Sequence, residues 1–264
     1  MSLLNHYPFF LLIFARMSAF MITLPLFSYR TIPAFHKAGF SFFLALIMYE
    51  TMKPPVLEIN AFYFQLLLKE IFIGLMIGFL AYLMYSAIMI AGSFMDFQIG
   101  FAIANIIDPQ TGAQSPLLGQ LLNTLALLLM LSLNAHHMLL DGVYYSFQYI
   151  PPESVSFSLT SDAIPEFIMK SFSLMFLIAF QMALPIVGSL FIVDIALGIV
   201  AKTVPQMNIF VVGLPVKMLS AFLLLMIVMG ALFFAMQGLF ETLTETMRDL
   251  IKLLGGVDHA VNKP

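Results

Sequence analysis

Three long apolar runs without a charged residue are the feature of this sequence that most restricts its fold. They are Ile71–Met95, Ser171–Val193 and Met218–Phe240, each of 23 to 25 residues. About 20 apolar residues are enough for a helix to cross the hydrocarbon core of a bilayer. Inside lipid the backbone must satisfy its own hydrogen bonds, which favours a helix. The sequence therefore predicts an integral membrane protein built of helices.

The composition excludes several other classes of protein. Of the 264 residues, 61% are hydrophobic and 9% are charged, whereas soluble domains are about a quarter charged. A net charge of −3 with 11 Lys and Arg residues leaves no basic surface for nucleic acid. The absence of Cys excludes a disulfide scaffold. The sequence also lacks a nucleophile motif, a phosphate-binding glycine loop and an HExxH pair, so we expect neither an enzyme nor a bound cofactor.

Three further segments bring the total to about six apolar helices. Phe9–Tyr29 is long enough to span but contains Arg16, Ala38–Met52 is short, and another helix starts near Leu117 and ends near Leu140. Prolines in or beside these runs remove backbone donors and are expected to bend or break helices. They are Pro25, Pro185 and Pro215. The predicted fold class is all-α, with about six bent or broken apolar helices.

The distribution of Lys and Arg residues does not orient these helices in the membrane. Basic residues should concentrate on the cytoplasmic side. Here they divide almost evenly between the two sides that alternating spans would give, with Lys69 assigned to the loop before the first long run. Either the spans are miscounted, or some helices do not cross the membrane in the usual way. Both explanations stay open at this point.

Two charged residues, Arg16 and Asp194, lie inside predicted apolar helices. An unpaired charge at the centre of a bilayer costs about 2.5–3.5 kcal/mol on insertion scales, so such groups usually face a cavity or a partner. One interpretation is a conduction path or a proton relay. The interpretation we favour is that the two pair with each other or with a neighbouring subunit.

Two other patterns predict helix packing. Gly74 and Gly78 form a GxxxG pattern, which lets another helix approach closely. Near the C-terminus, apolar residues recur at helical spacing with charges on the other faces, which predicts an amphipathic helix for an interface or a partner rather than a span. These apolar residues are Leu239, Leu243, Met247, Leu250 and Leu254. The Gly pair at 255–256 should end this helix, and residues 256–264 are expected to form a flexible tail.

His136 and His137 are the one histidine pair in the sequence. Neighbouring residues on a helix point about 100° apart and do not share a metal ion from one face, and the sequence offers no obvious third ligand. We interpret them as hydrogen-bonding groups near a helix end rather than as a metal site.

The segment 97–116 differs from an ordinary connector. It reads FQIGFAIANIIDPQTGAQSP, so it is about half apolar, contains helix-breaking residues and has no Lys or Arg. An exposed loop should be polar throughout. The composition therefore favours burial in protein or insertion into a cavity, and we predict a re-entrant plug. The candidate plug residues are Gly100, Phe101, Ile106, Ile107, Asp108, Pro109, Gly112 and Pro116.

Together with motifs elsewhere, this segment resembles the FliR family. The family comprises membrane components of the type III protein export gate of bacterial flagella, with relatives in virulence injectisomes. The similarity covers roughly residues 5–255 and is most specific between Asp194 and Lys217. It departs mildly from the family pattern at Ala135 and Lys202. The matching residues outside the plug segment are Arg16, Pro25, His136, His137, Ser146, Phe147, Pro151, Pro185, Asp194, Gly198, Pro205, Gln206, Asn208, Phe210, Pro215 and Lys217.

The resemblance implies a fold and a set of partners. A FliP-like part (1–165, with the plug loop at about 97–116) would be followed by a FliQ-like hairpin (166–255), with helices in bent hairpins largely above the membrane plane. A single copy would join FliP-type and FliQ-type subunits in a channel for unfolded export substrates. FlhB-type and FlhA-type components would dock near the cytoplasmic face. The assembly would contact membrane lipid in the bacterial inner membrane, within the flagellar basal body.

Two alternatives remain at this stage. One is the injectisome counterpart, with the same mechanism and different cargo. The other is an ion-coupled solute transporter that uses Arg16 and Asp194 at a broken-helix site. The lack of an internal repeat and the small number of titratable groups weigh against the transporter.

Overall fold

The computed structural model describes residues 6–27, 32–52, 59–101, 116–154, 163–206 and 208–256, together with Pro55 and Leu57. Within these residues the fold is all-α, which confirms that part of the prediction, although the helices number eight rather than about six. The helices are α1 (Tyr7–Thr23), α2 (Ala34–Thr51), α3 (Ala61–Tyr85), α4 (Ala87–Ile99), α5 (Leu117–Ser132), α6 (Ala135–Tyr149), α7 (Ala163–Thr203) and α8 (Ile209–Leu254).

Three helical stretches are long and apolar enough to cross a membrane. They are Ala61–Ile99, Ala163–Thr203 and Val211–Leu254, and each contains one of the three predicted charge-free runs. Helices α5 and α6 form a bent pair that would make a fourth span. In the described residues the structure therefore has three or four candidate spans. Helix α1 has 17 residues, which is at the lower limit of the length that crosses a bilayer core.

The first compact unit takes its described residues from Met1–Tyr85, Asn134–Phe172 and Glu241–Pro264. In it, α1 packs along α2 and α3. Most side chains of α1 are buried, which fits its apolar sequence on nearly every face.

The end of α8 belongs to this unit and corrects one expectation. It is amphipathic as predicted, since all five residues of the apolar stripe are buried while Glu241, Glu245 and Arg248 are exposed. However, it continues the candidate span without a break. It also packs on α6 of the same chain: a Cβ added at Gly142 would lie 2.9 Å from the Met247 methyl group. The stripe therefore has a partner within the chain.

The second compact unit comprises Ser86–Leu133 and Ser173–Phe240. In this unit α4 packs against α5. The middle stretches of α7 and α8 leave many large apolar side chains exposed, among them Phe191, Ile192, Met226 and Ile227.

Two of the expected helix breaks are absent. Helix α7 continues through Pro185 and α8 continues through Pro215. A single proline removes one bond from the backbone ladder, and a long helix keeps the bonds on both sides of it. Pro25 does follow a helix end, because α1 stops at Thr23. Of the bend or break expected at each proline, the break is therefore absent at Pro185 and Pro215.

Candidate functional site

The segment 102–115 leaves the end of α4 and returns at the start of α5. The segment lies outside the described residues, and with it five of the predicted plug residues: Ile106, Ile107, Asp108, Pro109 and Gly112. The structure describes the three that border it, Gly100, Phe101 and Pro116. These three residues mark where the segment leaves α4 and where it returns to α5.

Gly100 ends α4 in a conformation that favours glycine. Its φ angle is 100°, and its amide donates a hydrogen bond to the Asp96 carbonyl oxygen over 3.1 Å. A side chain at this position would be strained. The next residue, Phe101, places its ring centroid 6.4 Å from that of Phe222 on α8. The Gly-Phe pair thus turns the chain out of α4 and sets the aromatic ring beside α8.

Asp96, one turn earlier, joins the two ends of the segment. Its carboxylate is buried and accepts the Leu118 amide at 3.2 Å and 3.1 Å, one distance to each oxygen. Close by, α4 and α5 approach at two glycines, since a Cβ added at Gly92 would collide with the backbone of Gly119. Sequence reasoning missed Asp96 because its partner lies 22 positions away.

Asp194 connects three helices of the second unit. Its carboxylate accepts hydrogen bonds from the Lys217 ammonium, at 2.9 Å to Oδ1 and 3.0 Å to Oδ2. The side-chain amide of Gln98, on α4, donates to Oδ2 over 2.9 Å. The cluster therefore links the end of α4 to α7 and α8. The Asp194 side chain is 38% exposed and that of Lys217 is 17% exposed, so the ion pair is only partly buried within this chain.

A charge swap tests this cluster. Asp194→Lys would place two cations side by side and should lower the thermal stability of the purified chain, whereas Asp194→Lys combined with Lys217→Asp should restore most of it. Asp194→Asn should lower the free energy of unfolding by no more than about 1 kcal/mol, because exposed pairs are worth up to that amount. Thermal stability is measured on the detergent-solubilised chain. A double variant no better than Asp194→Lys would contradict the pairing.

The first unit contains a fully buried ion pair between α1 and α3. The Arg16 guanidinium donates to both oxygens of Glu70, from Nε over 2.5 Å and from Nη2 over 2.8 Å. It also donates to the Ser146 hydroxyl at 3.0 Å and to the Ile150 carbonyl at 2.8 Å. The centroid of the Phe147 ring lies 4.1 Å from the guanidinium carbon of Arg16. Such a bidentate, fully hydrogen-bonded arrangement lets a guanidinium be buried.

Lys69 completes this network. Its ammonium lies 2.9 Å from Glu70 Oε1 and donates to three backbone carbonyls, those of Pro151 (2.9 Å), Pro152 (3.2 Å) and Ser154 (2.7 Å). Lys69 lies inside α3 and is buried, so its assignment to a loop was wrong. Two cations share one carboxylate here, and carbonyl oxygens supply the remaining acceptors.

Both predicted intramembrane charges therefore have partners. Arg16 pairs with Glu70, and Asp194 pairs with Lys217. The expected pairing of Arg16 with Asp194 is therefore replaced by two separate ion pairs. Glu70 was missed because it directly precedes the charge-free run and was taken as its border. Its position four residues before Gly74, on the same helix face, was the available signal.

The GxxxG residues lie against α1. A Cβ added at Gly74 would collide with the Arg16 carbonyl oxygen and would lie 2.9 Å from the Ala19 Cβ. At Gly78 it would collide with the Thr23 hydroxyl. The two glycines thus allow the close crossing of α1 and α3 that brings Arg16 to Glu70.

His136 and His137 lie in the first turn of α6, with ring centroids 4.2 Å apart. Just before them, Asn134 has a φ angle of 56° where α5 gives way to α6. The Nδ1 atom of His136 is buried and has no hydrogen-bond partner among the described residues. Among all the residues that the structure describes, no group of three His, Cys, Asp or Glu side chains could hold a metal ion.

The remaining family-motif residues lie along α7 and α8 or between them. Pro185 is exposed within α7, while Pro205, Gln206 and Asn208 are exposed in the connection. Phe210 belongs to α8, and its side chain lies outside the described part.

Comparison with known proteins gives a consistent result. The family model for "Bacterial export proteins, family 1" matches residues 7–243. The chain is 55% identical over 255 residues to the flagellar biosynthetic protein FliR of Bacillus subtilis strain 168, covering 96% of this chain and 98% of that protein. Identity to the Escherichia coli K12 protein of the same name is 28% over 240 residues, or 90% and 91% of the two chains. Identity to Yop proteins translocation protein T of Yersinia pestis is 33% over 186 residues, or 70% and 71%.

Proposed function

Because this chain belongs to family 1 of the bacterial export proteins, the FliR family, we propose that it helps form and plug the channel of the flagellar type III export gate. It is a transport component of flagellar export in the inner membrane, at the basal body, and not an enzyme. The observation that carries this conclusion is 55% identity to a flagellar relative over nearly the full length of both chains.

The partners proposed for the chain are FliP-type and FliQ-type subunits, with FlhB-type and FlhA-type components beside them. The exposed apolar side chains of α7 and α8 support this proposal, because large exposed apolar faces mark contacts with other proteins or with the membrane. We further propose one copy of this chain per assembly, with residues 1–165 taking a FliP-like role and 166–255 a FliQ-like role.

The mass of the intact complex tests this assembly. A tagged chain would be extracted gently from its native membrane, and the complex weighed by native mass spectrometry. We expect a large hetero-oligomer that contains one copy of the chain. A stable monomer or homodimer would contradict the proposed assembly.

The segment 97–116 is the proposed plug. On the α4 side of this segment, the Asp96 carboxylate accepts the Leu118 amide at the start of α5. The Gln98 side-chain amide donates to Asp194 on α7. A half-apolar segment without Lys or Arg suits a channel that must hold back ions when idle and pass unfolded chains when open. Small polar and apolar side chains can give way to any passing sequence.

Substitution of Ile106 and Ile107 by Ser tests the plug. Removing two apolar side chains should loosen the closed state, so cells should leak ions at rest while still secreting flagellar proteins, or secretion should stop. Ion leak is followed with a membrane-potential dye and secretion in culture medium. Ile59→Ser, at an exposed position outside a helix, serves as the matched control. Normal ion tightness together with normal secretion in the double variant would refute the plug role.

The injectisome counterpart is the second candidate function. It is favoured by 33% identity to a Yop translocation protein over 70% of this chain. The flagellar relative shares far more of the sequence, which is why we place the flagellar role first. Loss of swimming on deletion of the gene, with recovery from a plasmid copy, would support the flagellar role over the other.

A further inference from the structure

Helices α6 and α8 end side by side in the first unit. Each contributes to a candidate membrane span, since α6 is the second half of the bent pair and α8 contains the span Val211–Leu254. The two ends are in contact, because a Cβ added at Gly255 would lie 2.9 Å from the Tyr149 carbonyl oxygen. The last turns of both helices therefore face the same surroundings.

The last turns of α6 are rich in tyrosine. Tyr144, Tyr145 and Tyr149 are three of the nine Tyr residues in the chain, and all of them lie in the last six residues of this helix. Tyrosine is enriched where a membrane meets water, because its ring is apolar and its hydroxyl is polar. The chain has no Trp, so Tyr alone fills this role. The tyrosines thus indicate that the end of α6 lies at a membrane surface.

The end of α8 supplies two cations beside these rings. Arg248 follows the charge-free run Met218–Phe240 by about two helical turns, and Lys252 lies about one turn further along the same helix. Side chains on a helix tilt toward its N-terminus, which here directs both cations back toward the apolar run. Long basic side chains near the end of a membrane helix reach the headgroup layer in this way.

The cations and the phenol rings line one cleft of about 230 Å³. Its lining consists of Tyr145, Tyr149, Arg248, Ile251 and Lys252, and none of these described residues carries a carboxylate. The guanidinium carbon of Arg248 lies 5.4 Å from the centroid of the Tyr145 ring, and among the described residues Arg248 forms no ion pair. Lys252 lies 3.3 Å from Asp249, with both side chains more than a third exposed. The cleft therefore presents N–H and O–H donors and a guanidinium charge that no described carboxylate neutralises.

We propose that this cleft binds the phosphate group of an anionic phospholipid. The planar Arg248 guanidinium can donate two parallel hydrogen bonds to one phosphate, the Lys252 ammonium adds a second cation, and the phenol hydroxyls can donate to the remaining oxygens. Basic pockets between membrane helices bind anionic headgroups by the same chemistry. The inference goes beyond the export role and does not depend on the plug. A bound lipid would hold the ends of α6 and α8 at the membrane surface.

Fluorescence quenching tests the site, because the chain has no Trp of its own. In the full-length chain, Tyr144→Trp introduces one Trp next to the cleft without replacing a residue that lines it. The purified chain in detergent would be titrated with phosphatidylglycerol that carries bromine on its acyl chains, which quenches Trp on contact. Phosphatidylcholine with the same bromination, whose choline neutralises its phosphate, is the comparison lipid. We expect phosphatidylglycerol to reach half-maximal quenching at a concentration at least about tenfold lower.

Two double variants of this Trp-containing chain assign the difference to the cleft. Arg248→Gln with Lys252→Gln removes both cations and should raise the half-maximal phosphatidylglycerol concentration about twentyfold, because each cation near an anionic surface contributes a factor of about five. Lys170→Gln with Lys202→Gln removes the same charge from exposed positions on α7, so this matched control should bind like the parent chain. Arg248→Lys keeps the charge but loses the planar pair of donors, and its affinity should lie between the two. Helical content, measured by circular dichroism, should be the same in all variants.

Other results would overturn the proposal. Equal half-maximal concentrations for the two lipids, or equal effects of the two double variants, would show that the cleft does not select an anionic headgroup. Displacement of phosphatidylglycerol by an equal concentration of inorganic phosphate would show a site for free phosphate instead. If Arg248→Gln with Lys252→Gln does not fold, binding by Arg248→Lys as tight as that of the parent chain would reject the site.

An acidic surface of a protein partner is the competing occupant of the cleft. Native mass spectrometry of the intact complex separates it from lipid. Loss of a protein subunit in the Arg248→Gln, Lys252→Gln variant, together with unchanged quenching by phosphatidylglycerol, would assign the two cations to that partner and reject the lipid site. An intact complex with weakened phosphatidylglycerol binding is the result that we expect.

Discussion

Glu70→Ala is expected to abolish export. The substitution leaves the buried cations Arg16 and Lys69 without their shared carboxylate. Removing one partner of a buried ion pair costs about 3–5 kcal/mol, which is a large part of a typical folding free energy of about 5–15 kcal/mol. The chain should therefore be degraded before it assembles. Chain level in membranes and secretion of flagellar proteins are the two measurements, and both should fall to near background.

Two further variants define the cause. Glu70→Gln keeps an acceptor for Arg16 but no charge, so its chain level should lie between those of wild type and Glu70→Ala. Glu166→Ala removes an exposed carboxylate that lies 2.7 Å from Lys170, and exposed pairs contribute little, so this control should behave as wild type. A Glu70→Ala chain as abundant as the control would show that the buried network is dispensable.

Gly74→Ala is expected to have the second-largest effect. The added methyl group would collide with the Arg16 carbonyl oxygen and crowd the Ala19 Cβ. Backbone does not rotate away as a side chain can, so α1 must move from α3. Overpacking of this kind typically costs about 1–3 kcal/mol, and it would also lengthen the Arg16–Glu70 hydrogen bonds. Thermal stability of the purified complex and chain level in membranes should both decrease.

Gly39→Ala provides a control for which the expected change in stability is zero or positive. Gly39 lies within α2, and a Cβ added there meets nothing within 4 Å. Ala is favoured over Gly in a helix interior by about 1 kcal/mol, so Gly39→Ala should leave stability unchanged or raise it. Equal losses for both glycine variants would contradict the close crossing as the cause, because helix propensity favours Ala over Gly at both positions.

The long helices could be predicted from the sequence because lipid imposes a simple rule. A run of apolar residues long enough to span must be helical, and three such runs lie within helices in the structure. The apolar stripe near the end of α8 was equally clear, since periodicity is a local property. What periodicity could not give was the partner of that stripe, because α6 lies about a hundred positions earlier.

The ion network could not be predicted in the same way. A search for charge-free runs ends at the first charge, so Lys69 and Glu70 looked like the border of a span. Their burial depends on Arg16, which lies 54 positions before Glu70, and on carbonyls beyond Ile150. Asp96 was missed for a similar reason, because a carboxylate at a helix end has meaning only once Leu118 returns to it. Long-range pairings of this kind leave no local pattern.

The order in which the Arg16 partners are synthesised has a consequence for insertion. Glu70 follows Arg16 by 54 positions and Ser146 follows it by 130. At about 5–20 residues per second, Arg16 exists for roughly 3–11 s before its carboxylate is made. A lone Arg in the middle of a bilayer costs about 2.5–3.5 kcal/mol, so α1 would carry this cost if it entered the bilayer before Glu70 was made. Insertion of α1 together with α3 would avoid the cost, because the guanidinium is then paired.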